Sequence, residues 1–184
     1  MFKHLKMLGL LAVAAAALMA FAGTASATIT SGGSAYTGEI AATSTNSELD
    51  GSVDIKCNHA MFAGSTTAGA TAFALTTVTF TGCGSDTWSV LKNGSMKISS
   101  SGTISWDGFE LTTQTHRTVF GFPVTTHCIY ATNNTTIGTL TEGTAQIHLM
   151  GTNLPQTPTD GGCGENAQWT GTYTITKPGA LTVD

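Results

Sequence analysis

Ala167-Gln168-Trp169-Thr170-Gly171-Thr172-Tyr173-Thr174-Ile175-Thr176 decides the fold. Trp169, Gly171, Tyr173 and Ile175 occupy one set of alternate positions, and Thr170, Thr172, Thr174 and Thr176 occupy the other. Side chains alternate across an extended backbone, so this period of two predicts a strand with one buried and one solvated face. Ser52–Cys57 repeats the pattern, with Val53, Ile55 and Cys57 opposite Ser52, Asp54 and Lys56. Thr144–Met150 does the same, setting Ala145, Ile147 and Leu149 against Gln146 and His148.

Working outward, further strands are expected at Tyr36–Ala42, Ala72–Phe80, Thr87–Leu91, Ser95–Ser99 and Thr103–Trp106. Phe109–Thr113, Val124–Tyr130 and Thr136–Leu140 complete the set. About a fifth of the chain is threonine, whose branched side chain fits a pleated, half-exposed surface. No segment sustains the i, i+3, i+4, i+7 apolar spacing of a helix. Turn residues punctuate the strands at Asn93-Gly94, Ser101-Gly102, Asp107-Gly108, Asn133-Asn134 and Asp160-Gly161-Gly162. Asn-Gly and Asp-Gly supply positive φ, so hairpins are expected at Asn93-Gly94 and Asp107-Gly108. Thr43–Gly51 and the longer, Pro-containing Gly151–Asn166 read as loops. Many short antiparallel strands mean a sandwich or a barrel; the reading adopted is an antiparallel β-sandwich, immunoglobulin-like or jelly-roll-like.

The chain opens with Lys3 and Lys6, an apolar run from Leu8 to Ala22, and Ala25-Ser26-Ala27. That is the layout of a cleavable secretory signal, and the run is shorter than the roughly 20 residues a membrane span needs. The expected division is therefore a signal peptide at 1–27 and one exported β domain at 28–184. Beyond residue 27 there remain five basic side chains (Lys56, Lys92, Lys97, Arg117 and Lys177) against eleven acidic ones, a balance of −6. So few scattered cations argue against binding a phosphate backbone.

Cys57, Cys83, Cys128 and Cys163 all lie in the exported part, and an even number there reads as two disulfides. Three pairings are allowed and the sequence does not choose among them. Cys57–Cys83 with Cys128–Cys163 is preferred because each bridge staples neighbouring segments, at about 3–4 kcal/mol apiece. A zinc site would bring close C-x₂₋₄-C pairs, and the chain has none.

Candidate chemistry is sparse. His59, His116, His127 and His148 show no H-x-H or H-x-x-x-H spacing, and alternation turns His127 and His148 to solvent, so no metal is expected. Gly-x-Ser-x-Gly and Ser-x-x-Lys are absent, and the glycines are dispersed turn residues that form no phosphate cradle. A glycosidase-like carboxylate pair would be made by spatial neighbours that the sequence does not show; Asp107 and Glu110 flank an expected hairpin, where acidic residues are common for turn chemistry and solubility. Asn93-Gly94-Ser95 and Asn133-Asn134-Thr135 are glycosylation triplets, common by chance in a Thr-rich chain. Trp88 shares a face with Val90, and Trp169 with Tyr173 and Ile175, so both read as core. Trp106, next to Asp107-Gly108, is the candidate for an exposed ring that stacks on a ligand.

Ile55-Lys56-Cys57, Thr79-Phe80-Thr81-Gly82-Cys83, His127-Cys128-Ile129-Tyr130 and the ending Cys163, Trp169, Tyr173–Pro178, Leu181 and Val183 form a cysteine-and-core framework. In it the chain resembles small exported four-cysteine all-β proteins of actinobacteria, mostly uncharacterised. The resemblance implies export, two disulfides and a sandwich, and it transfers no active-site residue. The expected function is a secreted, non-enzymatic structural or interaction protein of the cell envelope or extracellular space, with no cofactor. Its partner would be an envelope component, a glycan or a protein. The alternative is a carbohydrate- or small-molecule-binding module centred on Trp106 and Gly151–Asn166; a hydrolase would need a His or carboxylate pair in a cleft.

Overall fold

The computed structural model describes residues 28–51, 54–157, 163 and 166–184, which form sixteen strands and, among these residues, no helix. The candidate signal at 1–27, Val53 and the Asp160-Gly161-Gly162 turn lie outside them. In chain order the strands begin β1 (Ile29–Ser31), β2 (Ser34–Ala35), β3 (Gly38–Ser44), β4 (Ser47–Asp50) and β5 (Ile55–Cys57). There follow β6 (His59–Thr66), β7 (Ala72–Thr81), β8 (Thr87–Lys92), β9 (Ser95–Ile98), β10 (Thr103–Asp107) and β11 (Glu110–Val119). The last are β12 (Phe122–Ala131), β13 (Thr135–Thr141), β14 (Gln146–Thr157), β15 (Asn166–Lys177) and β16 (Thr182–Val183).

Eight of them run β15-β3-β6-β7-β9-β10-β13-β14, and β14 then pairs antiparallel with β15 to close the ring. The architecture is all-β, as the alternation requires, but the main sheet is a closed barrel where a sandwich was expected. Alternation says which side of a strand is buried; it cannot say whether the last strand meets the first. Register shifts at Ala63/Gly64, Ile104/Ser105, Leu149/Thr152 and Ile175/Lys177 supply the local bends that closure needs. A second sheet of β8, β11 and β12 joins the barrel where Ile129 and Tyr130 of β12 pair with β14. A small sheet, β16-β1-β2, ties Ile29 to Val183.

Buried residues of both larger sheets and of Ile29, Leu181 and Val183 form one core. Its centre is aromatic: Trp169 lies 5.4 Å from the rings of Trp106 and Phe80, and Trp106 stacks on Phe109 at 3.9 Å. Ser47 makes this centre possible, since its buried hydroxyl accepts from Trp169 Nε1 at 2.9 Å and bonds the Tyr173 hydroxyl at 2.9 Å. Two disulfides, Cys57–Cys83 and Cys128–Cys163, use all four cysteines in the preferred pairing.

Four readings of the sequence require correction. Asn93-Gly94 and Asp107-Gly108 do not close hairpins: β8 pairs with β11, while β9 pairs with β7 and β10. Both dipeptides are crossings between the barrel and the second sheet, and they pack on each other. A Cβ on Gly94 (φ 66°) would overlap the Asp107 carbonyl and lie 2.6 Å from Phe109 N. Thr43–Gly51 is no loop, because β3 runs on to Ser44 and Ser47–Asp50 forms β4 between β5 and β15. A serine faces inward there, which hid the alternation. Gly151–Asn166 is likewise strand as far as Thr157; the shift between Leu149 and Thr152 changes the parity of the inward positions, so the period breaks while pairing continues to Pro155↔Asn166. Finally, β6 went unseen because its inward positions include the small Ala60 and Gly64.

Candidate functional site

Trp106 is fully buried, its ring stacked on Phe109 and its Nε1 donating to the Asn93 carbonyl at 2.8 Å. It cannot offer a face to a surface ligand, which corrects the sequence assignment. The neighbouring turn residues Asp107 and Gly108 are exposed, with their backbone close against Gly94, while the Trp106 ring points the other way into the core. With Trp88 and Trp169 also buried, no tryptophan forms an aromatic platform.

The exposed apolar residues are elsewhere. β11 and β12 form a ten-rung ribbon from Glu110↔Ala131 to Val119↔Phe122. Its two-residue turn, Phe120-Gly121, has φ of 51° and 85°, the positive pair that such a tight connection requires. Among the described residues, neighbouring strands support only the base: β8 reaches no further than Thr87↔Gln114, and β14 pairs only with Ile129 and Tyr130. The rungs from Thr115↔Thr126 outward extend about 15 Å past Gln114 at strand rise. The result is an arm.

One face of this arm is continuous with the core. Leu111, Thr113, Thr115, Cys128 and Tyr130 are buried on it at the base, and the same parity continues outward through Arg117, Val119, Val124 and Phe122. At the end the core has stopped, yet the residues remain apolar. Phe120 is 97% exposed and Phe122 73%, with Val119 and Val124 also exposed. The opposite face carries Gln114, His116, Thr118, Thr125 and His127. The arm is fixed at its root by the Cys128–Cys163 disulfide, and midway by His116, whose amide donates to Asp86 Oδ1 at 3.3 Å. The ring of His116 also meets Thr125 Oγ1 at 3.1 Å across the ribbon. Two buried polar atoms near the root, Trp88 Nε1 and Thr115 Oγ1, have no hydrogen-bond partner.

Sequence reasoning missed this element because its turn is Phe-Gly, not Asn-Gly, and because Val-Phe-Gly-Phe-Pro-Val looks like core. A short apolar run carries no mark of whether anything lies above it.

A second feature is a shallow depression of about 350 Å³ at the β14 irregularity, lined by Asn46, His148, Met150 and Thr172 among others. His148 Nδ1 lies 3.2 Å from Thr172 Oγ1 and Met150 is exposed. The lining supplies one imidazole, one amide and hydroxyls, with no carboxylate to orient or charge the ring. Among the described residues no three His, Cys, Asp or Glu side chains are grouped to hold a metal. Asp107 accepts from the Asn134 amide at 3.0 Å and Glu110 pairs with Lys92 at 2.6 Å, so both have structural partners. Asp50 is held above the usual carboxylate range by its hydrogen bond to Asp54 and by that group's charge.

No helix among the described residues is long and apolar enough to cross a membrane. The barrel itself carries threonine outward and apolar residues inward, as β15 shows, the reverse of a lipid-facing strand. Comparison of the chain with protein-family models, curated proteins and solved structures gives no match. The geometry therefore defines the class by itself: an all-β, disulfide-bonded barrel bearing one apolar-tipped arm.

Proposed function

We propose that the protein is exported, loses Met1–Ala27, and acts outside the cytoplasm as a non-enzymatic interaction protein of the envelope or extracellular space. The contact element is the end of the β11–β12 arm. One observation carries this reading: Phe120 and Phe122 stand exposed at the end of a ribbon, while the other aromatic side chains among the described residues are buried or half-buried. Exposed apolar clusters on a soluble surface mark contact sites. Two disulfides agree with an oxidising compartment, and so does the likeness to small exported four-cysteine proteins.

The alternative, a carbohydrate- or small-molecule-binding module, retains the depression beside His148 and Met150 as its support. It loses the stacking ring expected at Trp106.

Fractionation of cells that export the protein tests the proposal. Wild type should be retained with the envelope, and Phe120→Asn/Phe122→Ser should appear in the medium. Asn tolerates the positive φ of position 120, so the turn is kept. Equal partitioning of the two proteins would overturn the assignment of the arm.

A further inference from the structure

We propose that the arm ends in a lipid surface: Phe120, Phe122 and Val119 enter the interfacial layer of a phospholipid bilayer, and Arg117 meets its phosphates. This rests on the arm being the contact element and names what it contacts.

The order of residues along the ribbon is the first argument. The outermost rung, Val119↔Phe122, and the turn residue Phe120 are apolar. Behind them come Thr118↔Pro123 and then Arg117↔Val124, with Arg117 on the face that carries Val119 and Phe122. Two rungs of a strand are about 7 Å, the distance between the acyl boundary and the phosphate layer that an arginine stem bridges. Apolar end and cation are thus stacked in the order in which a bilayer presents hydrocarbon and phosphate.

Area is the second. At their observed exposures the two phenylalanine rings present roughly 350 Å². A stable protein partner needs about 800 Å² on each side, and a second copy pairing end to end would bring only the same small patch. Val119, Pro123 and Val124 enlarge it only in part, since both valines are less than half exposed, and the other side chains behind the tip are threonine, histidine and arginine. A bilayer accepts a small convex apolar end without matching its shape.

The third argument sets the depth. Past Gln114 on β11, and between Phe122 and Cys128 on β12, the barrel and β8 ladders supply no neighbour to the outer edges of the ribbon. Backbone amides along such edges need water, so hydrocarbon admits only the tip. Asp86, hydrogen-bonded at His116, lies at the level where the ribbon returns to the body. The net acidity of the exported part keeps that body off an anionic surface.

Flotation of the exported protein with vesicles of phosphatidylcholine containing a quarter phosphatidylglycerol tests the inference. Wild type should rise with the vesicles, Phe120→Asn/Phe122→Ser should lose at least tenfold of the bound fraction, and Arg117→Gln should lose several-fold. Phe120→Trp should shift its emission to the blue and gain protection from iodide on adding vesicles. An unchanged urea midpoint in each variant shows that folding is intact. Failure of wild type to float, or flotation of the double variant like wild type, would overturn the lipid assignment. If envelope retention still depends on Phe120 and Phe122 while vesicles are ignored, the contact reading stands and its partner is protein or glycan. If retention is also indifferent to them, both proposals fall.

Discussion

Trp169 stands where the two larger sheets share one aromatic centre, and removing its ring is the most searching test of the core. The side chain is 2% exposed and neighbours the rings of Phe80, Trp88, Trp106, Phe109 and Tyr173. Burying about 200 Å² of ring surface at roughly 25 cal/mol per Å² is worth about 5 kcal/mol. Truncating a buried tryptophan to alanine costs about 3–5 kcal/mol, because the surrounding rings relax only in part. Trp169→Ala should therefore lose about 4 kcal/mol. Trp169→Phe keeps most of the apolar volume but removes the donor to Ser47, whose hydroxyl still has Tyr173. It should lose only about 1–2 kcal/mol. Urea unfolding followed by far-ultraviolet circular dichroism reads both without relying on indole emission, to which Trp88 and Trp106 still contribute. A loss below about 1 kcal/mol for Trp169→Ala would refute the packed aromatic centre. Equal losses for the two variants would refute the division between ring volume and hydrogen bond.

Tyr173 gives a pH prediction. Burial pushes its phenol well above the ordinary value of 10, against the opposing hydrogen bonds from Ser47 and Trp169. The unfolded chain gives up this proton near pH 10 while the native state keeps it, so the Tyr173 contribution is intact below pH 10. Above that it falls by about 1.4 kcal/mol per pH unit; Tyr173→Phe should flatten the alkaline loss in urea titrations, and an unchanged slope would contradict the assignment. Thr115→Val replaces a buried, unpartnered hydroxyl by a methyl of the same shape and should raise stability by about 1 kcal/mol. A loss in chemical denaturation would mean that the hydroxyl has a partner after all. Gly94→Ala meets the carbonyl of Asp107, whereas Gly84→Ala, also at positive φ, meets nothing within 4 Å. Gly94→Ala should cost about 2 kcal/mol more than Gly84→Ala; equal midpoints would show that the two crossings do not press on each other.

The correct expectations and the missed ones divide along a physical line. Trp169, Tyr173 and Ile175 are buried on one face of β15, and Ile55 and Cys57 on one face of β5, as their alternation required. Trp106 keeps the same alternation with Ile104, yet its nearness to a turn was read as exposure. What covers it is the rings of Phe109 and Trp169 and the Asn93 carbonyl, which the crossings between sheets and the distant strand β15 bring there. Ser47 and Gly151 broke or masked the local period, the first because its hydroxyl has buried partners and the second because it sits in a register irregularity.

From the residues alone came the extended backbone, most inward and outward faces and the positive-φ turns, all set by interactions within a few positions of each other; the cysteine pairing, one preference among three, bridges 26 and 35 positions. Closure of β14 onto β15, the use of Asn93-Gly94 and Asp107-Gly108 as crossings, and the solvent above Phe120 and Phe122 were decided only in three dimensions. Burial is a property of what lies opposite a side chain, and for these residues the opposite surface comes from distant parts of the chain or, at the arm, is absent among the described residues.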